Sequence, residues 1–175
     1  VLPPMKLKRC NTSGAFLDCG SRFLVTGGYD GNNLLSSCEV FDTTTNTWTD
    51  VAPLSGFRCR HCTVLYLGKA VVLGGSDEDY DNLNTCEQYD PDTNTWSPFP
   101  ALNKACCYFG AAVVQEKIFI AGGYNGGVLA SNGDIHFVPR NSTVGQKISS
   151  SGVVSTYSLV HTTSIAYIGG VLAPN

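Results

Sequence analysis

The densest chemistry in the sequence is the run Asp77-Glu78-Asp79-Tyr80-Asp81, which sets four carboxylates around one phenol. Such a cluster attracts a basic segment of a partner, and it is equally what a solvated loop carries. Upstream stand Arg58, Arg60 and His61. A guanidinium presents paired donors to a carboxylate, so this group suits an acidic ligand; a buried Arg satisfying backbone carbonyls is the competing reading. Asn32, Asn33, Asn82 and Asn125 offer amides to a partner's backbone, and Asn is also ordinary turn chemistry. Tyr29 with Asp30, Tyr124, and the pair Lys104 and Tyr108 complete the candidate set, with Tyr29 and Tyr124 serving scaffold as readily as contact.

Signals for catalysis are thin. His61, His136 and His161 are scattered and read better as satisfied core or surface residues. Cys59 and Cys62 enclose Arg60 and His61, but a zinc site needs a second pair or His ligands at matching spacing. No glycine-rich phosphate loop opens a helix, and no nucleophile elbow is present. The expectation is therefore no enzyme, no catalytic residue, no metal and no cofactor. Of the eight cysteines, Cys38 and Cys86 precede matching strings, and Cys106 and Cys107 lie beside an apolar strand. They read as reduced, mostly buried thiols of an intracellular chain. With 11 Lys and Arg against 14 Asp and Glu, the net charge of -3 argues against nucleic acid. No apolar run approaches the ~20 residues of a membrane helix, and Val1 to Met5 lacks a signal-peptide layout, so the expected location is cytoplasmic.

These residues must be positioned by strands. A chain of 175 residues that is 43% hydrophobic, 14% charged and holds 19 Gly favours strands and turns over helix or disorder. Glycine doublets recur at Gly27-Gly28, Gly74-Gly75, Gly122-Gly123 and Gly169-Gly170, a period of 47–48 residues. Each doublet ends a short apolar strand (Phe23 to Thr26, Ala70 to Leu73, Ile118 to Ala121, Ile165 to Ile168), and another apolar strand precedes it. A third strand follows as Cys38-Glu39-Val40-Phe41 or Cys86-Glu87-Gln88-Tyr89. Asp42 to Asn46 and Asp90 to Asn94 then turn the chain into a fourth strand holding Trp48 or Trp96. Each Trp supplies a broad apolar face and an indole N–H for a nearby carbonyl. One such sheet cannot bury both faces alone, so copies stack.

The run Thr26-Gly27-Gly28-Tyr29-Asp30-Gly31, then Glu39-Val40-Phe41-Asp42 and Asn46-Thr47-Trp48, resembles a kelch repeat, with wording most similar to the kelch-like (BTB-kelch) family. The resemblance implies an all-β fold of four-stranded antiparallel β-propeller blades. Repeats fall at about 5–53, 54–101, a degenerate 102–148 and a half repeat 149–175. In the third, Asp134 to Phe137 stands for strand three, and Val144 or Ile148 replaces the missing Trp. That makes about 3.5 blades where a ring takes ~4–8, so further blades are expected from the same longer protein, a second copy or another chain. The resemblance also places first strands at the axis, and puts the loops joining strands two and three on one rim with the loops between blades. Tyr29, Asp30, Asn32, Asn33, Arg58, Arg60, His61, Asp77, Glu78, Asp79, Tyr80, Lys104, Tyr108, Tyr124 and Asn125 all fall in these loops. The implied function is a protein-interaction module binding a peptide motif, as in substrate adaptors of cullin-type ubiquitin ligases. An actin-binding kelch protein is the alternative, and a sugar-processing kelch enzyme a weaker third.

Overall fold

The computed structural model describes residues 2–17 and 20–124, with three further strands, His136–Val138, Val144–Ile148 and Val154–Ser158. Thirteen strands are described. Sheet one is β1 (Ser13–Leu17), β2 (Arg22–Tyr29), β3 (Leu34–Asp42) and β4 (Thr47–Val51), paired in chain order and antiparallel throughout. Sheet two repeats it with β5 (Cys62–Tyr66), β6 (Lys69–Leu73), β7 (Cys86–Asp90) and β8 (Thr95–Phe99). The strands expected around the first two doublets are these. One detail differs: β2 does not end at its doublet but continues through a bulge between Thr26 and Gly28.

The third sheet departs from the pattern. β9 (Cys107–Val114) and β10 (Lys117–Tyr124) form the expected hairpin, but β11 (His136–Val138) pairs with β10 in parallel, over only Ile120↔Phe137 and Ala121↔Val138. This segment lacks the Cys-Glu-x-aromatic-Asp string of β3 and β7, whose side chains fix the linker and the turn, so little specifies its register. β12 (Val144–Ile148) then pairs antiparallel with β11, and β13 (Val154–Ser158) with β12. The described strand of the expected half repeat is thus hydrogen-bonded into the third sheet. Gly169, Gly170, His161 and Asn125 lie outside the described residues.

Sheet two is buried on both faces, which explains why β6 reads as an unbroken apolar run rather than an alternating one. Ala70 and Val72 join Leu17, Leu24, Cys38, Val40, Leu54 and Tyr89 in a core shared with sheet one. Val71 and Leu73 join Val64, Cys86, Leu102, Cys106, Phe109, Ile118 and Ile120 in a core shared with sheet three. At ~1.5–3 kcal/mol per buried aliphatic side chain, these two cores dominate the packing energy.

The turn between strands three and four recurs atom for atom. Asp42 Oδ1 accepts the Thr44 and Thr45 amides, and Asp90 Oδ1 accepts those of Asp92 and Thr93. Asn46 and Asn94 follow in the left-handed conformation, with φ of 56° and 52°. Trp48 then packs on Phe41 at 5.2 Å and donates from Nε1 to the Pro3 carbonyl at 3.0 Å. Trp96 packs on Tyr89 at 5.0 Å and donates to the Ala52 carbonyl at 2.8 Å. Each indole therefore fastens its outer strand to the segment entering its own sheet.

Candidate functional site

The linker entering each sheet is riveted to the loops on either side. Arg58 shows how. Its backbone belongs to sheet one, since its amide donates to Leu35 and its carbonyl accepts the Gly28 amide at 2.9 Å. Its side chain belongs to sheet two: Nη1 donates to the carbonyls of Gly74 and Thr85, and Nη2 donates to Glu87 at 2.8 Å. Arg9 repeats the arrangement on Gly27, Ser37 and Glu39, with 2.6 Å between guanidinium and carboxylate. The second carboxylate oxygen of each Glu takes a linker amide, Ser55 at Glu87 and Lys6 at Glu39. These pairs are buried, and removing one partner of such a pair costs ~3–5 kcal/mol. At the entry to sheet three, Cys106 stands where the Arg should be; its carbonyl still accepts the Gly75 amide, but it brings no cation.

His61 is also inside. Its Nε2 lies 2.8 Å from Thr26 Oγ1, which is 2.9 Å from Thr63 Oγ1 and donates to the Ser13 carbonyl. With the Thr26 proton spent on Ser13, Nε2 carries the ring proton and Nδ1 is left without a partner. Burial, then the charge of Arg58, push the His61 pKa down to about 3. Among the expected rim residues, Arg58 and His61 are therefore held within the structure.

Arg60 is different. Its guanidinium carbon lies 5.3 Å from the centre of the Tyr80 ring and 5.0 Å from that of Tyr108, a cation held between two aromatic faces. Three expected residues, from the linker into sheet two, the β6–β7 loop and the start of β9, meet here. Tyr80 is 64% exposed and Tyr108 45%. All three residues take the left-handed conformation, with φ of 57°, 63° and 56°. For bulky side chains that conformation costs energy and persists only where the surroundings enforce it. The enforcing bonds are present: Tyr108 N donates to the Arg60 carbonyl, and Arg60 N to the Asn11 carbonyl.

The acidic loop holds its shape by the same turn chemistry. Asp77 Oδ1 accepts the amides of Asp79 and Asp81, leaving Glu78, Asp79 and Asp81 directed to solvent. On the next loop, Asp30 Oδ1 accepts the Asn32 and Asn33 amides at 2.7 Å, and the bond from Asn33 leads those that hold its carboxyl below the usual range. Tyr29 donates its hydroxyl to Gly31. Lys104 is exposed on the loop before β9, and Tyr124 ends β10 opposite Cys107. The Leu54 amide donates to Ser36 near the start of β3, and those of Leu102 and Cys106 to Asn84 and Leu83 just before β7, so each linker is tied to the chain entering the preceding third strand. The cysteines Cys10, Cys38, Cys59, Cys62, Cys86, Cys106 and Cys107 are free, and all but Cys10 and Cys62 are buried. Burial pushes the thiols of Cys59 and Cys62 up, so the pair is poorly poised for redox work.

Sequence reasoning missed Arg9, Glu39 and Glu87. The signal was available: Arg9 and Arg58 each precede a glycine doublet, and each doublet is followed by Cys-Glu.

Repeated four-stranded sheets, doublets and indole clasps define blades of the β-propeller class. The chain belongs to the kelch-repeat family: residues 4–170 match the KLHDC2/KLHL20/DRC7 Kelch-repeats domain. It is 32% identical to Kelch-like protein 33 of Homo sapiens over 143 residues, covering 80% of this chain and 27% of that protein. It is 35% identical to Influenza virus NS1A-binding protein homolog B of Danio rerio over 81 residues, 46% of this chain and 12% of that one. Likewise it is 35% identical to Multiple epidermal growth factor-like domains protein 8 of Mus musculus over 69 residues, 38% of this chain and 2% of the other. The matched region spans about a quarter or less of each relative. Among the described residues no helix is long and apolar enough to cross a membrane.

Proposed function

We propose that the chain is a non-enzymatic protein-interaction module that holds a partner across its loop rim, as the substrate-recognition part of a cullin-type ubiquitin ligase adaptor acting in the cytoplasm. The observation that carries this is the Arg60 cation packed between Tyr80 and Tyr108, with Phe57 44% exposed on the adjoining linker. Exposed aromatics and Arg on a rigid scaffold have the composition of interface hot spots. Kelch-repeat membership supports a protein partner.

The test is quantitative affinity capture with the full-length protein that carries this chain, comparing wild type with Y80A/Y108A. A cullin should be recovered from both, together with a defined set of partners whose recovery falls about tenfold or more in the variant. Actin at high stoichiometry without a cullin would replace the adaptor reading with a cytoskeletal one. Partner recovery unchanged by the double substitution would refute the rim.

A further inference from the structure

Beside the Arg60 platform, the linker Ser55 to Arg58 and the loop from Asp77 to Thr85 enclose an open cleft of about 380 Å³. We propose that this cleft takes a basic, extended segment of the protein partner, seating a Lys or Arg side chain among the loop carboxylates with its stem on the apolar wall. This rests on the rim reading and narrows it to a ligand class.

Two independent features point to that occupant. The first is charge. Glu78 lines the cleft, and Asp79 and Asp81 flank it on the same loop. Their side chains have no ion-pair or hydrogen-bond partner among the described residues, whereas Asp77 is engaged by the amides it caps. The cations that precede the loop are already committed, Lys69 to Asp90, Arg58 to Glu87 and Arg60 to its two tyrosines. The loop therefore presents unbalanced negative charge at the cleft mouth. The second feature is apolar surface, since Phe57 is 44% exposed and lines the cleft with Leu83. The aliphatic stem of Lys or Arg packs on such a wall while its head reaches the carboxylates.

Arg58 also lines the cleft, but it is only 3% exposed and its charge is spent on Glu87, so it does not offset the loop carboxylates at the mouth.

The experiment uses an array of acetylated nonapeptides on matched scaffolds with central Lys-Arg, Gln-Gln or Glu-Glu, probed with the chain and followed by anisotropy titration. Lys-Arg members should be retained selectively, and their affinity should fall at least tenfold in E78Q/D79N/D81N and in F57A. The amide replacements preserve shape and leave Asp77 in place, so the thermal midpoint should stay at the wild-type value; F57A reads the same cleft without touching the acidic loop. Equal retention of Gln-Gln or Glu-Glu members, or affinity unchanged in both variants, overturns the proposal. The two readings separate cleanly. Partner capture lost in Y80A/Y108A but intact in E78Q/D79N/D81N refutes the basic ligand and leaves the rim standing. Capture intact in both refutes the rim as well.

Discussion

At the residue scale, one position shows how a repeat tolerates different chemistry. A Cβ on Gly27 would sit 3.2 Å from His61 Cε1, and one on Gly74 would sit 3.1 Å from Phe109 Cε1, so His61 and Phe109 occupy one slot in successive sheets. Their neighbours change in step: Thr26 faces His61, and Leu73, the residue before the second doublet, joins the same core as Phe109. The polar version carries a pH liability. His61 has an ordinary pKa of 6.5 when unfolded and about 3 when folded, so the unfolded chain takes up the proton more readily. The stability of the neutral form is complete above 6.5 and is lost as pH falls from 6.5 toward 3, by up to ~1.4 kcal/mol per unit. His61→Phe should therefore flatten the decline in denaturation free energy between pH 6.5 and 4.5, as read by urea titration. A variant with the wild-type slope would show that another group drives the decline. The sequence offered His61 both as a member of a basic trio and as a core or surface residue, and the structure places it in the core. Its burial depends on Thr26, Thr63 and Ser13 arriving from other strands, which no local pattern encodes.

At the element scale, the glycine doublets and Asp-to-Trp turns were fully legible, because backbone geometry dictates their residue types directly. Gly27 has a φ of 52°, and a Cβ there would overlap the Arg58 carbonyl oxygen. Gly68, in the β5–β6 turn, has a φ of 79° but open space around it. Gly27→Ala thus meets both strain and a rigid backbone atom, and should cost about 3 kcal/mol or more, whereas Gly68→Ala meets strain alone and should cost ~1–2 kcal/mol. Chemical denaturation of the two variants checks the order; equal losses would mean that close approach of the linker is not what the doublet serves. The Arg9–Glu39 and Arg58–Glu87 rivets were visible as letters but not as partners. Pairing Arg58 with Glu87 requires knowing that the linker crosses the end of strand three. The third sheet was harder still: without that string, nothing in residues 134–137 distinguishes an antiparallel third strand from the parallel pairing that forms.

At the scale of the molecule, stacking sets where stability resides. β6 is interior to its sheet, and Ala70, Val71, Val72 and Leu73 are all buried, alternately against sheet one and sheet three. β4 and β8 lie at the outer edges of sheets one and two, with three of five residues exposed in each. Opening β6 breaks hydrogen bonds on both sides and uncovers two cores at once, while an outer strand can separate at the cost of one ladder and its indole clasp. Native-state hydrogen exchange should therefore show the amides of Ala70 to Leu73 exchanging only by global unfolding. Those of Thr47 to Val51, and of Thr95, Trp96, Ser97 and Phe99 in β8, should exchange orders of magnitude faster, by local opening. Denaturant should accelerate the first set steeply and the second hardly at all, because only global opening exposes the inter-sheet surface. Uniform protection across β4, β6 and β8 would instead mean that the sheets open as one body, with the indole clasps at Pro3 and Ala52 as strong as the cores. In the expected case the rim gains from this arrangement. Arg58 carries its linker directly between the β2 doublet of sheet one and the end of β6, so the loops bearing Arg60 and Tyr80 are anchored to the slowest-opening part of the chain.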